Sequence, residues 1–152
     1  MGIARATLVV DGPISAVEAL WYEPDRWPSW IDGFGHVVRL DPGWPGPGAI
    51  LDWDSRRGGR GRVQERVTAH EQRTGQTLAV EDTQLRGTQA VAFADAGEGA
   101  VQVTLSLEYS LKERTAFTPI VDRLFIRRAI TASLQRSLAR FARERAADVD
   151  LR

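Results

Sequence analysis

Residues 100–111 (AVQVTLSLEYSL) alternate strictly between apolar and polar side chains. Apolar residues occupy the odd positions from Val101 to Leu111, and Gln, Thr, Ser, Glu and Ser occupy the positions between them. Because successive side chains of a strand point to opposite faces of a sheet, this pattern predicts a long strand with one buried and one wet face. A one-sided sheet needs a cover, which the rest of the chain has to supply.

Six other segments have the composition of strands and are separated by Gly, Pro, Asp or Arg-Gly turns. They are residues 3–10, 36–40, 49–53, 61–70, 76–82 and 88–95. With residues 100–111 they predict seven strands, of which the last six form an antiparallel meander.

Two short helices are predicted between the first and second strands. An apolar stripe at three- and four-residue spacing runs along residues 13–23 and predicts the first helix. Pro24 ends that helix, and Asp25 is expected to cap the second, over residues 26–31.

The cover for the sheet is predicted at the end of the chain. Pro119 begins a helical segment that runs to about Ala147, much longer than an average helix. Its apolar side chains fall on one side: Ile120, Leu124, Leu134, Leu138 and Phe141. We find no internal repeat or linker, and we interpret residues 1–152 as a single domain.

Two segments resemble a known superfamily. Residues 14–33 (ISAVEALWYEPDRWPSWIDG) and residues 118–141 (TPIVDRLFIRRAITASLQRSLARF) are similar to the tryptophan-bearing corner and the closing helix of START-like, or SRPBCC, proteins. This superfamily includes polyketide cyclases/dehydrases, lipid-transport proteins, the birch pollen allergen and coenzyme Q-binding proteins. The resemblance implies an α+β helix-grip fold, in which a seven-stranded curved antiparallel sheet surrounds a long C-terminal helix, with two short helices between strands 1 and 2.

The resemblance also implies a cavity between the sheet and the long helix, lined by apolar side chains and roofed by the short helices. It places Trp30, and with it Trp21, near that cavity. Two aromatic residues are also expected on the inner face of the sheet, because Trp53 lies two residues from Leu51 and Phe93 two residues from Val91. Such residues are more often part of the core than in contact with a ligand.

Polar residues with inward parity are candidates for orienting a ligand. Glu65 shares the parity of the apolar residues in its strand, unless a bulge turns it outward, and Tyr109 lies on the apolar face of its own strand. Arg127 and Thr131 lie within the apolar stripe of the last helix. An inward Arg127 has to reach an edge, meet an acid or bind a ligand oxygen. If Arg127 and Glu65 form a direct ion pair, the pair has a structural role, and this alternative is favoured. If the two side chains are separated in the cavity, Glu65 is a candidate base and Arg127 a candidate group to bind an oxyanion or a carboxylate.

The predicted lining of the cavity therefore consists of Trp21, Trp30, Trp53, Glu65, Phe93, Tyr109, Leu124, Arg127 and Thr131. If the protein is an enzyme, the catalytic candidates among them are Glu65, Tyr109 and Arg127.

Composition excludes several classes of function. Twenty basic and twenty acidic side chains give a formal net charge of zero, so no nucleic-acid partner is expected. The absence of cysteine excludes disulfides and thiolate metal sites, and with only two histidines we expect no metal and no cofactor. The N-terminal residues contain no apolar run of signal-peptide length, so a cytoplasmic location is expected.

Three functions remain open from the sequence. The first is a binding module for a small hydrophobic molecule such as a lipid, polyketide or isoprenoid. The second is a polyketide cyclase or dehydratase that uses acid and base residues in the same cavity. The third is a coenzyme Q-type carrier, for which an arginine-rich outer face of the last helix permits membrane contact without requiring it. In each case the expected partner is a small hydrophobic molecule, and the chain is a monomer or a homodimer.

Overall fold

Seven antiparallel strands form one sheet in the structure, a computed structural model that describes residues 1–113 and 118–151. For residues 118, 119, 123 and 124 the description covers the backbone only. The strands are β1 (Gly2–Asp11), β2 (Phe34–Leu40), β3 (Ile50–Ser55), β4 (Arg62–Glu71), β5 (Gly75–Glu81), β6 (Leu85–Asp95) and β7 (Ala100–Leu111). Their order, β1-β7-β6-β5-β4-β3-β2, confirms the predicted meander and places β1 beside the last strand.

The helical corner between β1 and β2 consists of α1 (Ile14–Trp21), a 3₁₀ turn (Pro24–Arg26) and α2 (Trp27–Trp30). The two predicted short helices are therefore present. The predicted cap by Asp25 is wrong, because the 3₁₀ turn leads directly into α2 and no side chain caps either element. The backbone N–H of Trp27 instead donates to the carbonyl of Pro24.

The C-terminal cover is α4 (Arg127–Asp150), preceded by the short α3 (Thr118–Val121) and a π-helical turn (Asp122–Ile126). Leu134, Leu138 and Phe141 are buried in one cluster with the inward side chains of the sheet, which confirms the helix-grip arrangement. Near its other end α4 is fixed to β1, because the buried Arg145 donates to the carbonyl of Asp11 at 2.9 Å.

Ile120 does not face the sheet as predicted; its exposed fraction is 59%. The π-helical turn explains this, because an i→i+5 turn contains an extra residue and rotates the preceding segment out of phase by about 100°. The side chain of Leu124, also predicted for this face, lies outside the description of the structure.

Strand β4 places Glu65 inside. Val63, Glu65 and Val67 are all buried. The pairing register with β5 shifts between Val67 and Ala69, so Ala69 is exposed, although strict alternation would place it on the inner face. The bulge thus lies beyond Glu65 and leaves that side chain on the inner face. Within the described ranges, no helix combines the length and apolar character needed to cross a membrane.

Candidate functional site

Two adjoining cavities lie between the sheet and α4. The inner pocket, about 80 Å³ in volume, lies beneath the helical corner and is lined by Trp21, Trp27, Trp30, Ile31, Asp32, Phe34, Trp44, Leu51, Trp53, Arg60, Glu65, Gln76, Leu78, Gln89, Leu105, Ser133, Leu134 and Ser137. The outer cavity, about 660 Å³, is lined by Arg60, Asp82, Thr83, Gln84, Leu85, Gln89, Leu107, Leu111, Lys112, Glu113, Ile126, Ala129, Ile130, Ser133 and Leu134. The two linings share Arg60, Gln89, Ser133 and Leu134, which define the junction.

The tryptophans of the corner both close the core and line the inner pocket. The rings of Trp21 and Trp30 lie 4.5 Å apart, and Phe141 of α4 contacts both at 5.1 and 5.0 Å between ring centroids. The Trp27 indole N–H donates to the Trp21 carbonyl at 2.9 Å, which fixes α2 against α1. The corner is therefore a rigid aromatic wall, because each ring is held by other rings or by the backbone.

Glu65 is the buried acid of the inner pocket, with an exposed fraction of 7%. Its Oε1 accepts a hydrogen bond from the indole N–H of Trp53 at 3.3 Å, and Arg60 lies over the Trp53 ring at 5.5 Å from its centroid. Burial raises the pKa of the Glu65 carboxyl, although the charge of Arg60 and the hydrogen bond from Trp53 act in the opposite direction. A carboxyl group inside a pocket, with its pKa raised by burial, is a candidate to give or take a proton of a bound molecule.

Arg60 reaches the junction from the turn between β3 and β4. Its Nε donates to Oδ2 of the buried Asp82 at 2.8 Å, and the other oxygen of Asp82 accepts the backbone N–H groups of Gln84 and Leu85 at 2.8 and 3.0 Å. Sequence reasoning missed both residues, since each lies in a turn rather than on the alternating face of a strand. The available signal was the Asp-Thr-Gln sequence at residue 82, which is typical of a turn closed by an aspartate side chain.

Comparison with known proteins identifies the family. The family described as polyketide cyclase/dehydrase and lipid transport matches residues 1–145. The chain belongs to this family. The superfamily resemblance noted in the sequence is thereby confirmed.

Solved structures of low sequence identity share the fold of this family member. It is similar to a conserved protein from Geobacillus kaustophilus (TM-score 0.76, 10% identity, 96% of each chain covered) and to a protein from Thermus thermophilus (TM-score 0.72, 16% identity, 97% of this chain and 99% of that chain). It is also similar to a point mutant of norcoclaurine synthase from Thalictrum flavum in complex with a transition state analogue (TM-score 0.67, 15% identity, 97% of this chain and 95% of that chain). No curated protein matches the sequence.

Four of the residues predicted to line the cavity do line the inner pocket: Trp21, Trp30, Trp53 and Glu65. Phe93 lies deeper, with its ring edge-on to Trp21 at 6.0 Å. Thr131 is half-buried on α4 and, like Phe93, does not appear in either lining.

Tyr109 and Arg127 meet at Asp122 rather than at Glu65. The Tyr109 hydroxyl donates to Oδ1 of Asp122, and Nη2 of Arg127 lies 3.6 Å from Oδ2 of the same carboxylate. Burial and the hydrogen bond to Asp122 raise the pKa of Tyr109 to about 12. The expected Glu65–Arg127 pair is therefore wrong: Arg127 is paired with Asp122 of the π-helical turn, and Glu65 accepts from Trp53.

Asp32, just after the helical corner, connects that corner to α4. Its carboxylate accepts from Ser133 Oγ at 2.7 Å, Arg136 Nη2 at 2.9 Å and Arg140 Nη1 at 3.1 Å. Two arginines of the outer helix face, Arg136 and Arg140, are thus paired with an acid of the same chain, although Arg136 remains exposed together with Arg128 and Arg143. Part of the positive charge of this face is therefore balanced by Asp32.

We expect Asp32→Asn to lower the free energy of unfolding at pH 7 by about 1–2 kcal/mol, because its charged hydrogen bonds are partly exposed to solvent. The hydrogen bond from Arg136, followed by that from Ser133, lowers the pKa of Asp32. The stabilisation is therefore present above the ordinary aspartate pKa and is lost as the pH falls through the folded-state pKa. Urea unfolding at pH 7 and at acid pH measures this, with the exposed Asp25→Asn as control. If the difference in unfolding free energy between Asp32→Asn and the wild type is as large at acid pH as at pH 7, this prediction is contradicted.

Within the described residues, no group of three or more His, Asp or Glu side chains is arranged to hold a metal ion. The charged side chains that line the two cavities include Arg60, Glu65 and Asp82.

Proposed function

We propose that the chain binds one small hydrophobic molecule in the outer cavity, with part of the molecule entering the inner pocket. The observation that carries this proposal is the outer cavity itself, whose volume of about 660 Å³ is within the usual range for small-molecule sites. Its lining includes Leu85, Leu107, Leu111, Ile126, Ile130 and Leu134.

The apolar lining supplies the affinity. Each square ångström of apolar surface removed from water contributes about 25 cal/mol, so a ligand that covers several of these side chains gains several kcal/mol before the cost of association. The lining also contains polar side chains, among them the ion-paired Arg60 and Asp82, and such groups favour one orientation of a ligand.

Family membership supports the same function, because the family description includes lipid transport. The norcoclaurine synthase point mutant that shares the fold was solved in complex with a transition state analogue. Both observations favour a small organic ligand in the space between the sheet and the long helix of this chain.

Gln89→Trp tests the proposal, because Gln89 lines the junction on the inner face of β6. We expect the larger side chain to fill the space and to weaken binding of the fluorescent dye N-phenyl-1-naphthylamine by at least about tenfold, which corresponds to about 1.4 kcal/mol. Thr88→Trp is the matched control, since Thr88 is the preceding residue on the same strand and lines neither cavity. Equal dye affinity in the wild type and a folded Gln89→Trp variant would contradict binding at this site.

We propose an enzyme as the second candidate function, of the polyketide cyclase or dehydratase type. The specific observation that favours it is Glu65, whose pKa burial raises and which lines the inner pocket beside Trp53 and Arg60. In this function the outer cavity holds a folded poly-β-ketone whose reacting end enters the inner pocket. The Glu65 carboxylate removes a proton from an α-carbon, the enolate carbon forms a bond to a ketone carbon of the same molecule, and Glu65 returns the proton to the resulting alkoxide oxygen. Tyr109, bound to Asp122 outside both linings, has less support as a proton donor.

A further inference from the structure

The outer face of the sheet, which points away from α4, is divided into a charged half and an uncharged half. On β3 and β4 the outward side chains include Asp52, Asp54, Arg62 and Arg66. On β1, β7, β6 and β5, by contrast, a block of neighbouring outward positions carries no charge. We call this block the uncharged face, and it consists of Ile3, Thr7, Val9, Thr77, Ala79, Thr88, Ala90, Ala92, Ala94, Gln102, Thr104 and Ser106.

The uncharged face has the composition of an interface core. Ile3 and Val9 are large apolar side chains with exposed fractions of 50% and 54%. The Thr7 hydroxyl donates to the hydroxyl of Thr104 at 3.4 Å, so these two groups are paired within the face. Charged side chains are depleted at interface cores, and paired hydroxyl groups cost less to remove from water than unpaired ones. This half of the sheet is therefore suited to contact another protein surface.

Two charged side chains at one corner of the uncharged face indicate which surface fits it. Arg5 lies opposite Ser106 on β7. Glu108 lies opposite Ile3, which makes it a diagonal neighbour of Arg5. Neither Arg5 nor Glu108 has an ion-pair partner among the described residues. One unpaired base beside one unpaired acid is self-complementary, because a two-fold axis brings Arg5 of each copy to Glu108 of the other.

The strand registers place that axis across the uncharged face. Strands lie about 4.8 Å apart, and residues follow one another at about 3.4 Å along each strand. With these spacings, an axis midway between Arg5 and Glu108, perpendicular to the line that joins them, crosses β6 beside Ala90. The formal net charge of zero also means that two copies do not repel each other.

The size of the face fits a weak dimer. Four strands over seven residues present about 450 Å² of flat area per copy. Two copies therefore bury about 900 Å² before the relief of the side chains is counted, which is at the low end of specific interfaces and favours micromolar affinity.

We infer that the uncharged face is the contact surface of a homodimer, in which Arg5 of each copy pairs with Glu108 of the other. None of the residues of this surface lines the inner pocket or the outer cavity. Dimerisation therefore leaves both cavities unobstructed, and the inference does not depend on the proposed ligand.

Sedimentation velocity over protein concentrations from about 1 to 200 μM tests the inference, because a dimer with a Kd of about 10 μM changes from mostly monomer to mostly dimer across that range. We expect Ala92→Arg to raise the Kd at least about tenfold, since it places two guanidinium groups in an uncharged contact close to the axis. Gln64→Arg is the matched control, because it adds the same charge to an exposed outward position of β4, in the charged half of the outer face.

Exchanging the charges tests the two-fold contact between Arg5 and Glu108. Arg5→Glu and Glu108→Arg should each raise the Kd by about tenfold, because each places like charges opposite each other twice in the dimer. The double variant restores opposite charges and should return the Kd to within about threefold of the wild-type value. At concentrations well below the Kd all of these chains are monomers, and urea unfolding midpoints close to that of the wild type show that each variant is folded.

A wild type that remains monomeric throughout the concentration series would overturn the inference. A wild-type dimer whose Kd is unchanged in Ala92→Arg would also overturn it, because the contact would then lie elsewhere, as would equal weakening by Gln64→Arg. A dimer that Ala92→Arg weakens, but that the double charge exchange fails to restore, would overturn the contact between Arg5 and Glu108.

Discussion

Phe141→Ala is expected to lower the free energy of unfolding by about 3–5 kcal/mol, as large-to-small changes of fully buried aromatic residues do. Phe141 has an exposed fraction of 0% and lies between α4 and the helical corner, with its ring edge-on to both Trp21 and Trp30. Truncation removes these ring contacts and leaves a cavity that the rigid aromatic wall is poorly able to close. Chemical denaturation followed by far-UV circular dichroism measures the loss.

Phe125→Ala is the matched control, because Phe125 lies in the π-helical turn that leads into α4 and its exposed fraction is 67%. We expect it to change the unfolding free energy by less than about 0.5 kcal/mol. Similar losses for Phe125→Ala and Phe141→Ala would mean that the corner does not depend on α4 for its packing.

Glu65→Gln is expected to make the folded protein more stable than the wild type, by a margin that grows as the pH rises. Burial raises the pKa of Glu65 above the ordinary glutamate value of about 4.3. The folded state therefore holds its proton more tightly than the unfolded state does. The stabilisation that this proton provides is complete below the unfolded pKa and is lost as the pH rises through the folded-state pKa.

Between those two pKa values the wild type should lose about 1.4 kcal/mol of stability per pH unit relative to Glu65→Gln, which has no proton to lose. Urea unfolding at a series of pH values measures the difference, with the exposed Glu108→Gln as control. A wild type that gains stability over Glu65→Gln on going from acid to neutral pH would show that Arg60 and Trp53 outweigh burial and that the carboxylate is the favoured form.

The same variant separates the two candidate functions. If Glu65 moves protons in a cyclase or dehydratase reaction, Glu65→Gln should abolish turnover of a poly-β-ketone substrate while dye binding persists. Turnover that survives in a folded Glu65→Gln variant would remove Glu65 from the mechanism. Dye binding alone, without turnover in the wild type, would favour the carrier function.

The fold was largely predictable because its main determinants are periodic. Alternation along residues 100–111 predicted β7 and its buried face, and the stripe through Leu134, Leu138 and Phe141 predicted the side of α4 that meets the sheet. The parity of Glu65 correctly placed it inward, since the bulge in β4 begins only after Val67. These features depend on near neighbours along the chain, which a sequence pattern records directly.

The partners of the polar side chains were not predictable in the same way, because they depend on contacts between residues far apart in the chain. The sequence suggested a pair between Glu65 and Arg127, whereas the π-helical turn brings Asp122 to Arg127, and the β3–β4 turn brings Arg60 over Trp53. Neither event has a periodic signature, because a turn can direct a long side chain back over the sheet without changing the pattern of the strands. The sequence by itself therefore determined which faces of the strands and of α4 are buried. Only the tertiary structure decided which polar side chains are paired inside the protein, since pairing depends on distances between elements that are brought together by folding.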